Sequence, residues 1–218
     1  MATTSIVEES GTRRERRKEA RPGELLAAAL DLFAEKGYAA TRAEEVAAKA
    51  GVSKGTLFLY FPSKEELFKA VVTESVAGPV NSGLAEVDGF PGSTAQLVPY
   101  LMTQWWERFG ATKASGISKL MMSEAQNFPE LAAFYQQTVV IPGRELIRQV
   151  IQRGIDRGEF RQVDVQYAVF SIHAPMMFLI MWKHSMSFCC PEGSAIDPAT
   201  YLQSQADIIV RGLLKNPN

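Results

Sequence analysis

The stretch from Thr41 to Lys64, TRAEEVAAKAGVSKGTLFLYFPSK, gathers residue types suited to a polyanion. Hydroxyls at Thr41, Ser53, Thr56 and Tyr60 can bond phosphate oxygens or base edges. Arg42, Lys54 and Lys64 can neutralise phosphates, and Gly55 lets the backbone approach a sugar-phosphate chain. Leu59, and Phe58 beside it, can touch thymine methyls in a major groove. The same surface would also suit docking on another protein, and spacing alone leaves both readings open.

These residues must be held by two short helices joined through Gly51-Val52-Ser53, the spacing of a helix-turn-helix unit. Thr41 and Glu44 read as a capping box for the first helix. Ala47 is small enough for close helix approach, and Gly51 supplies the positive φ of the turn. Ser53 caps the second helix and Pro62 ends it. At about 100° per residue, Leu57 and Phe61 share the core side. Gly55, Thr56, Leu59 and Tyr60 lie opposite, with Phe58 between them, so Leu59 is predicted to face outward. An upstream helix starts near Pro22, carries Leu26, Leu30 and Phe33 inward and stops at Gly37. A fourth helix starts at a Ser63/Glu66 capping box and buries Leu67, Phe68 and Val71. Residues 1–20 are predicted to be a disordered basic arm. Between Arg13 and Arg21 six basic residues face two acidic ones, a net +4 placed to lie near phosphates.

The 218 residues, 46% hydrophobic, are enough for one large domain or two small ones with a real core. Net charge is −1, so a nucleic-acid contact must come from local charge placement. Cys189 and Cys190 are adjacent and ill-suited to a structural disulfide, which points to a reducing compartment. The apolar run from Val165 to Trp182 is near the length of a membrane span. It contains Gln166, His173 and Pro175 and lacks a basic N-terminal flank, so burial between two protein layers is expected instead of a membrane.

Helical patterns continue to the end of the chain. They run from Thr94 to Phe109, over Gly116 to Gln126, and from Asn127 to Gly158 with a kink at Pro142. The last two start at Asp164 and at Asp197-Pro198. No strand pattern or internal repeat interrupts them, so the fold class is all-α, about nine helices.

With these pieces in place, the segment AALDLFAEKGYAATRAEEVAAKAGVSKGTLFLYFPSKEELF resembles the DNA-binding domain of TetR/AcrR-type transcriptional regulators. The linked matches are Phe33, Gly37-Tyr38, Thr41, Val46-Ala47, Ala50 to Ser53, Gly55 to Leu57, Tyr60-Phe61 and Lys64 to Leu67. Phe58 departs from the tyrosine common in that family, which removes a phenol that would reach a phosphate. The resemblance implies a DNA-binding domain over 21–75 and a helical ligand-binding and dimerisation domain over 76–218. It also implies a homodimer through the last two helices, a palindromic double-stranded DNA operator, and repression released by a small-molecule effector in the cytoplasm.

The expected effector pocket is lined by Trp105, Trp106, Met121, Met122, Phe134, Tyr135, His173, Met177, Phe178 and Trp182. Methionines and rings suit a bulky apolar or cationic aromatic ligand. Each of these residues has plain core packing as its alternative. No cofactor is implied. No metal site is expected either, because His173 and His184 lie eleven apart without an acidic partner. An enzyme is the rival reading, weakened by the lack of a Ser/His/Asp constellation or a phosphate-binding Gly loop. A helical protein-interaction module docking through Leu59 is the other.

Overall fold

The computed structural model describes residues 6–189 and 195–216, with side chains from residue 21 onward except at 81, 84, 85 and 88. Eleven α-helices are joined in places by five-residue π segments, giving nine continuous helical runs and no named strand among the described residues. The chain divides into two compact units, one up to Val71 and one from Val72 onward.

The first unit contains α1 (Ile6–Ala40), α2 (Ala43–Lys49), α3 (Lys54–Tyr60) and α4 (Lys64–Val72), whose last residue falls in the second unit. Where a disordered tail was expected, the backbone is helical from Ile6, and Pro22 therefore lies inside α1 instead of in its first turn. The basic side chains of that arm lie outside the described residues. Gly37 breaks α1 with φ +84°, as its glycine foretold. The inward stripe of α1 is shifted from the expected one. Leu25, Ala28, Ala29, Leu32 and Phe33 are buried, while Leu26 and Leu30 are half-buried. Phe33, Tyr38 and Phe68 form a three-ring cluster with centroids 5.2 to 5.7 Å apart. Val46 and Ala47 of α2, Leu57 of α3 and Leu67 and Val71 of α4 complete this core.

In the second unit a π segment, Thr73–Ala77, leads into α5 (Gly78–Gly89). Then come α6 (Thr94–Trp105) with a π segment to Gly110, α7 (Ser115–Glu124), α8 (Pro129–Tyr135), α9 (Ile141–Asp156), α10 (Val165–Met181) and α11 (Pro198–Leu213). The kink expected at Pro142 is a π segment, Gln136–Val140, between α8 and α9. The proline lacks an N–H for the preceding turn, so the ladder slips there. Gly158 ends α9 at φ +70°. Gly154 is required by packing: a Cβ there would sit 2.2 Å from the buried Phe160 ring. Asp164 and Asp197 cap α10 and α11, accepting from Gln166 N–H at 3.0 Å and Thr200 N–H at 2.8 Å. Leu97, Val98, Met102, Ile147, Ile151, Val169, Ile172, Leu179 and Leu202 form the core between α6, α9, α10 and α11.

The apolar α10 is buried on one side only. The helical run Val165–Cys189 is long and apolar enough to cross a membrane by length and composition, and 28% of its most apolar window is buried in the chain. Tyr167, Phe170 and Phe178 stand exposed at spacings of three and eight, a stripe along one helix face.

Candidate nucleic-acid interface and internal cavity

The turn between α2 and α3 is built as its residues require. Gly51 has φ +66°, Val52 N–H donates to Ala47 O at 2.9 Å, and Ser53 Oγ accepts from Thr56 N–H at 3.1 Å. This sets the rotation of α3. Leu57 is fully buried, whereas Leu59 is 84% exposed. Lys54 and Gly55 are exposed beside it, and Thr56, Phe58 and Tyr60 are half-buried. Phe61, expected in the core, is half-buried too. A Cβ on Gly55 would meet only Ser53 Oγ, at an ordinary 3.7 Å. The chain's own packing therefore does not demand glycine there, and the bare backbone serves whatever approaches from outside.

Polar groups on this surface divide by what they already hold. Ser53 and Thr56 hydroxyls lie 2.9 Å apart, so one hydrogen is shared and the other is available outward. Lys54 pairs with Glu44 at 2.5 Å and lies 5.7 Å from the Phe58 ring centroid. Both ends of that ion pair are more than half exposed, so water competes with it and Lys54 is readily recruited by a phosphate. The Lys54 ammonium is also what holds the Glu44 carboxyl below its ordinary range. Arg42 is exposed at the start of α2.

Two expected phosphate ligands are turned toward the chain's own backbone. Thr41 is 1% exposed, and its hydroxyl bonds inward to Gly37 O at 2.7 Å and Leu32 O at 3.2 Å. It clasps the end of α1, and the cap of α2 moves one residue on, with Glu45 accepting from Arg42 N–H at 3.1 Å. Lys64 donates to Tyr38 O at 3.0 Å, Thr41 O at 3.1 Å and Ala39 O at 3.4 Å, with the Tyr38 ring centroid 4.3 Å away. Its three N–H groups hold the α1–α2 connection, so a phosphate would have to displace carbonyls to reach them.

The second unit holds a partly open cavity of about 450 Å³, walled by α5, α6, α7, α8, α9, α10 and the π segments beside them. Of the ten residues expected there, Trp105, Met121, Met122, Tyr135, His173 and Met177 line it, and Trp106, Phe134, Phe178 and Trp182 do not. Phe178 turns outward, 39% exposed, with its ring 6.1 Å from Trp182 and 5.5 Å from Tyr201. Trp106 packs over Gly110 with the Lys183 ammonium 5.8 Å from its ring. Helical rotation decides this split. Met177 and Phe178 differ by one residue, about 100° on the helix, so one lines the cavity and the other faces away.

The wall also holds residues the sequence reading missed: Met102, Met176, Phe109, Glu86, Arg108 and Arg144. Arg144 left a signal, because it sits three and seven residues before the buried Ile147 and Ile151, on the inward stripe of α9. Tyr135 Oη and Ser118 Oγ are 2.7 Å apart, and burial pushes the Tyr135 phenol up to about 12. Burial, then the Arg144 charge, pushes His173 below its ordinary value, so its imidazole is neutral at pH 7.

A serine and a histidine do meet elsewhere: Ser115 Oγ lies 2.7 Å from His184 Nε2. Ser115 is fully buried, and its Oγ also lies 2.9 Å from both Gly110 O and Thr112 O, the carbonyls to which Lys183 donates at 2.8 Å. This is a clip between α7 and the π segment after α10, with no room for a substrate at the serine. Among the described residues no three His, Cys, Asp or Glu side chains converge on a possible metal position. Cys189 is exposed, and Cys190 lies outside the described residues.

Comparison with known proteins agrees with this geometry. The family described as "Bacterial regulatory proteins, tetR family" matches residues 25–71, and "Tetracyclin repressor-like, C-terminal domain" matches residues 92–186. The HTH-type transcriptional regulator YdeS of Bacillus subtilis is 27% identical over 158 residues, covering 72% of this chain and 76% of its own. A transcriptional regulator from Saccharomonospora viridis, solved with choline, superposes with a TM-score of 0.73 at 19% identity, covering 91% of this chain and 100% of its own. The transcriptional regulator FadR from Bacillus subtilis, solved with stearoyl-CoA, gives 0.69 at 17% identity, covering 87% and 98%. At those identities the two structures establish the fold alone.

Proposed function

Because this chain belongs to the TetR family of bacterial helix-turn-helix transcriptional regulators, not to a family of enzymes, we propose that it is a cytoplasmic homodimeric repressor. It binds a palindromic operator and is released when a small molecule occupies the cavity. The observation that carries the DNA reading is Leu59, an 84% exposed leucine two residues from buried Leu57 and so on the opposite face of α3. Around it, Arg42, Ser53, Lys54, Gly55, Thr56, Phe58 and Tyr60 supply phosphate donors, base-edge hydroxyls and a methyl-contact surface. Thr41 and Lys64 serve behind this surface by fixing the α1–α2 connection.

The exposed stripe of α10, with Ile208 of α11 at 62% exposure, supports dimerisation through the last two helices. A twin bundle would cover the apolar side that the chain itself leaves open. Two copies of α3 must then match successive major grooves, about 34–36 Å apart or a multiple of that. The helical run that begins at Lys64 also supplies Val76, Pro79 and Val80 to the cavity wall. A ligand that prefers one setting of that run shifts the equilibrium by its differential affinity. A ~100-fold release from DNA needs about 2.7 kcal/mol of such coupling.

Folds of this kind hold chemically opposite molecules, an acyl thioester of coenzyme A in one neighbour and choline in another. The wall residues, not the fold, must therefore choose the ligand class. The direct test is a gel shift with the DNA upstream of the protein's own gene. A discrete complex, resisting excess unrelated DNA, supports the regulator reading. Retention no better than on unrelated DNA would favour Leu59 as a protein-docking residue.

A further inference from the structure

The charged residues in the cavity wall do not cancel. They are Glu86, Arg108 and Arg144. Glu86 is already neutralised: Arg108 donates to one carboxylate oxygen and Tyr100 Oη donates to the other at 3.1 Å. The Arg108 contact is the main reason the Glu86 carboxyl titrates below its usual range. Among the described residues no carboxylate pairs with Arg144. Its guanidinium carbon lies 5.0 Å from the Phe170 ring centroid. Its Nε is buried without a hydrogen-bond partner among the described residues. A buried guanidinium N–H lacking an acceptor is costly, and any acceptor delivered to it recovers that cost. Neutral His173, close enough to feel the Arg144 charge, offers one further N–H.

We infer that the cavity takes an anionic amphiphile, a carboxylate on an apolar chain or ring, with its head group seated on Arg144 beside His173 and its body among the methionines. This rests on the reading of the cavity as the effector site, and of the apolar or cationic aromatic ligand expected from the methionines and rings it keeps the apolar body and sets aside the cation. A cation would enter a wall where, among the described residues, the unneutralised charge is that of Arg144, which repels it. A carboxylate accepts the unsatisfied N–H of Arg144, in the low-dielectric surroundings where charge-assisted hydrogen bonds are strong. Met102, Met121, Met122, Met176 and Met177 adapt to varied apolar bodies, so selectivity falls on the head group.

Titration calorimetry of the full chain with decanoate, decanol and decyltrimethylammonium tests this without any variant. Decanoate should bind roughly 10- to 100-fold tighter than either comparator, the span of one charge-assisted hydrogen bond. Arg144→Met, checked for an unchanged melting profile, should remove that advantage while leaving decanol affinity in place. Equal affinity for all three probes, or preference for the cation, overturns the head-group assignment but leaves the cavity as a ligand site. Failure of all three to bind, with no effect on the operator complex, overturns both the assignment and the effector reading of the cavity.

Discussion

At the scale of single residues, exposure separates the groups proposed to read DNA from those that hold the helix-turn-helix in place. Leu59 contributes almost nothing to the core of its unit, so Leu59→Ala should leave stability within about 0.5 kcal/mol. The same change should weaken a specific operator complex roughly tenfold, the order of one lost base contact. Thermal melts and gel shifts on one preparation check both halves. Lys64 predicts the reverse. Its ammonium bonds to the Tyr38 and Thr41 carbonyls, so Lys64→Ala should cost about 1–2 kcal/mol in denaturant unfolding. The slope of operator affinity against salt should change by well under one unit, since no phosphate contact is lost. A full unit of slope change would return Lys64 to the phosphate ligands.

At the scale of elements, π segments and clips set how the helices meet. The segment after α10 is pinned by His184 against buried Ser115. Burial, then the charges of Lys183 and Lys119, depresses the His184 imidazole to about 4. The unfolded chain takes up that proton near 6.5. Between these values the unfolded state binds more protons, so stability rises with pH across the window. The contribution is complete above about pH 6.5 and is lost as pH falls toward about 4. His173 is shifted in the same direction, so the difference between wild type and His184→Gln isolates His184. The variant should show a flatter dependence of Tm on pH between 6.5 and 4. Parallel curves would mean that His184 is protonated in the folded protein.

At the scale of the whole molecule, the chain leaves an apolar stripe of α10 and α11 open, the surface proposed for a twin. Ile208→Glu places a charge in the proposed twin interface, where an unpaired carboxylate is strongly disfavoured. Sedimentation should show monomers for the variant and dimers for the wild type, with unchanged helical circular dichroism. Operator affinity should fall with the dimer, because one α3 reaches one half-site. A variant that remains dimeric would move the interface away from α11.

Much of this was legible in the amino-acid sequence because the signals are local. Gly37, Gly51 and Gly158 adopt the positive φ that their places after helices demand. Ser53, Asp164 and Asp197 cap the helices they precede. The outward rotation of Leu59 follows from the helical repeat once Leu57 is placed inside. Capping, turn chemistry and periodicity act within a few residues, so a linear reading captures them. Tertiary structure decided what depends on distant partners. Thr41 and Lys64 carry side chains fit for phosphate, yet carbonyls near the end of α1 hold them. Met177 and Phe178 are equally apolar, and only the packing of α10 assigns one to the cavity and the other to the outside. Helical spacing sets Arg144 on the inward stripe of α9, but only the folded chain leaves its Nε buried without an acceptor among the described residues. The charge of the cavity wall, and with it the ligand class proposed for it, exists only when residues dozens of positions apart line one cavity.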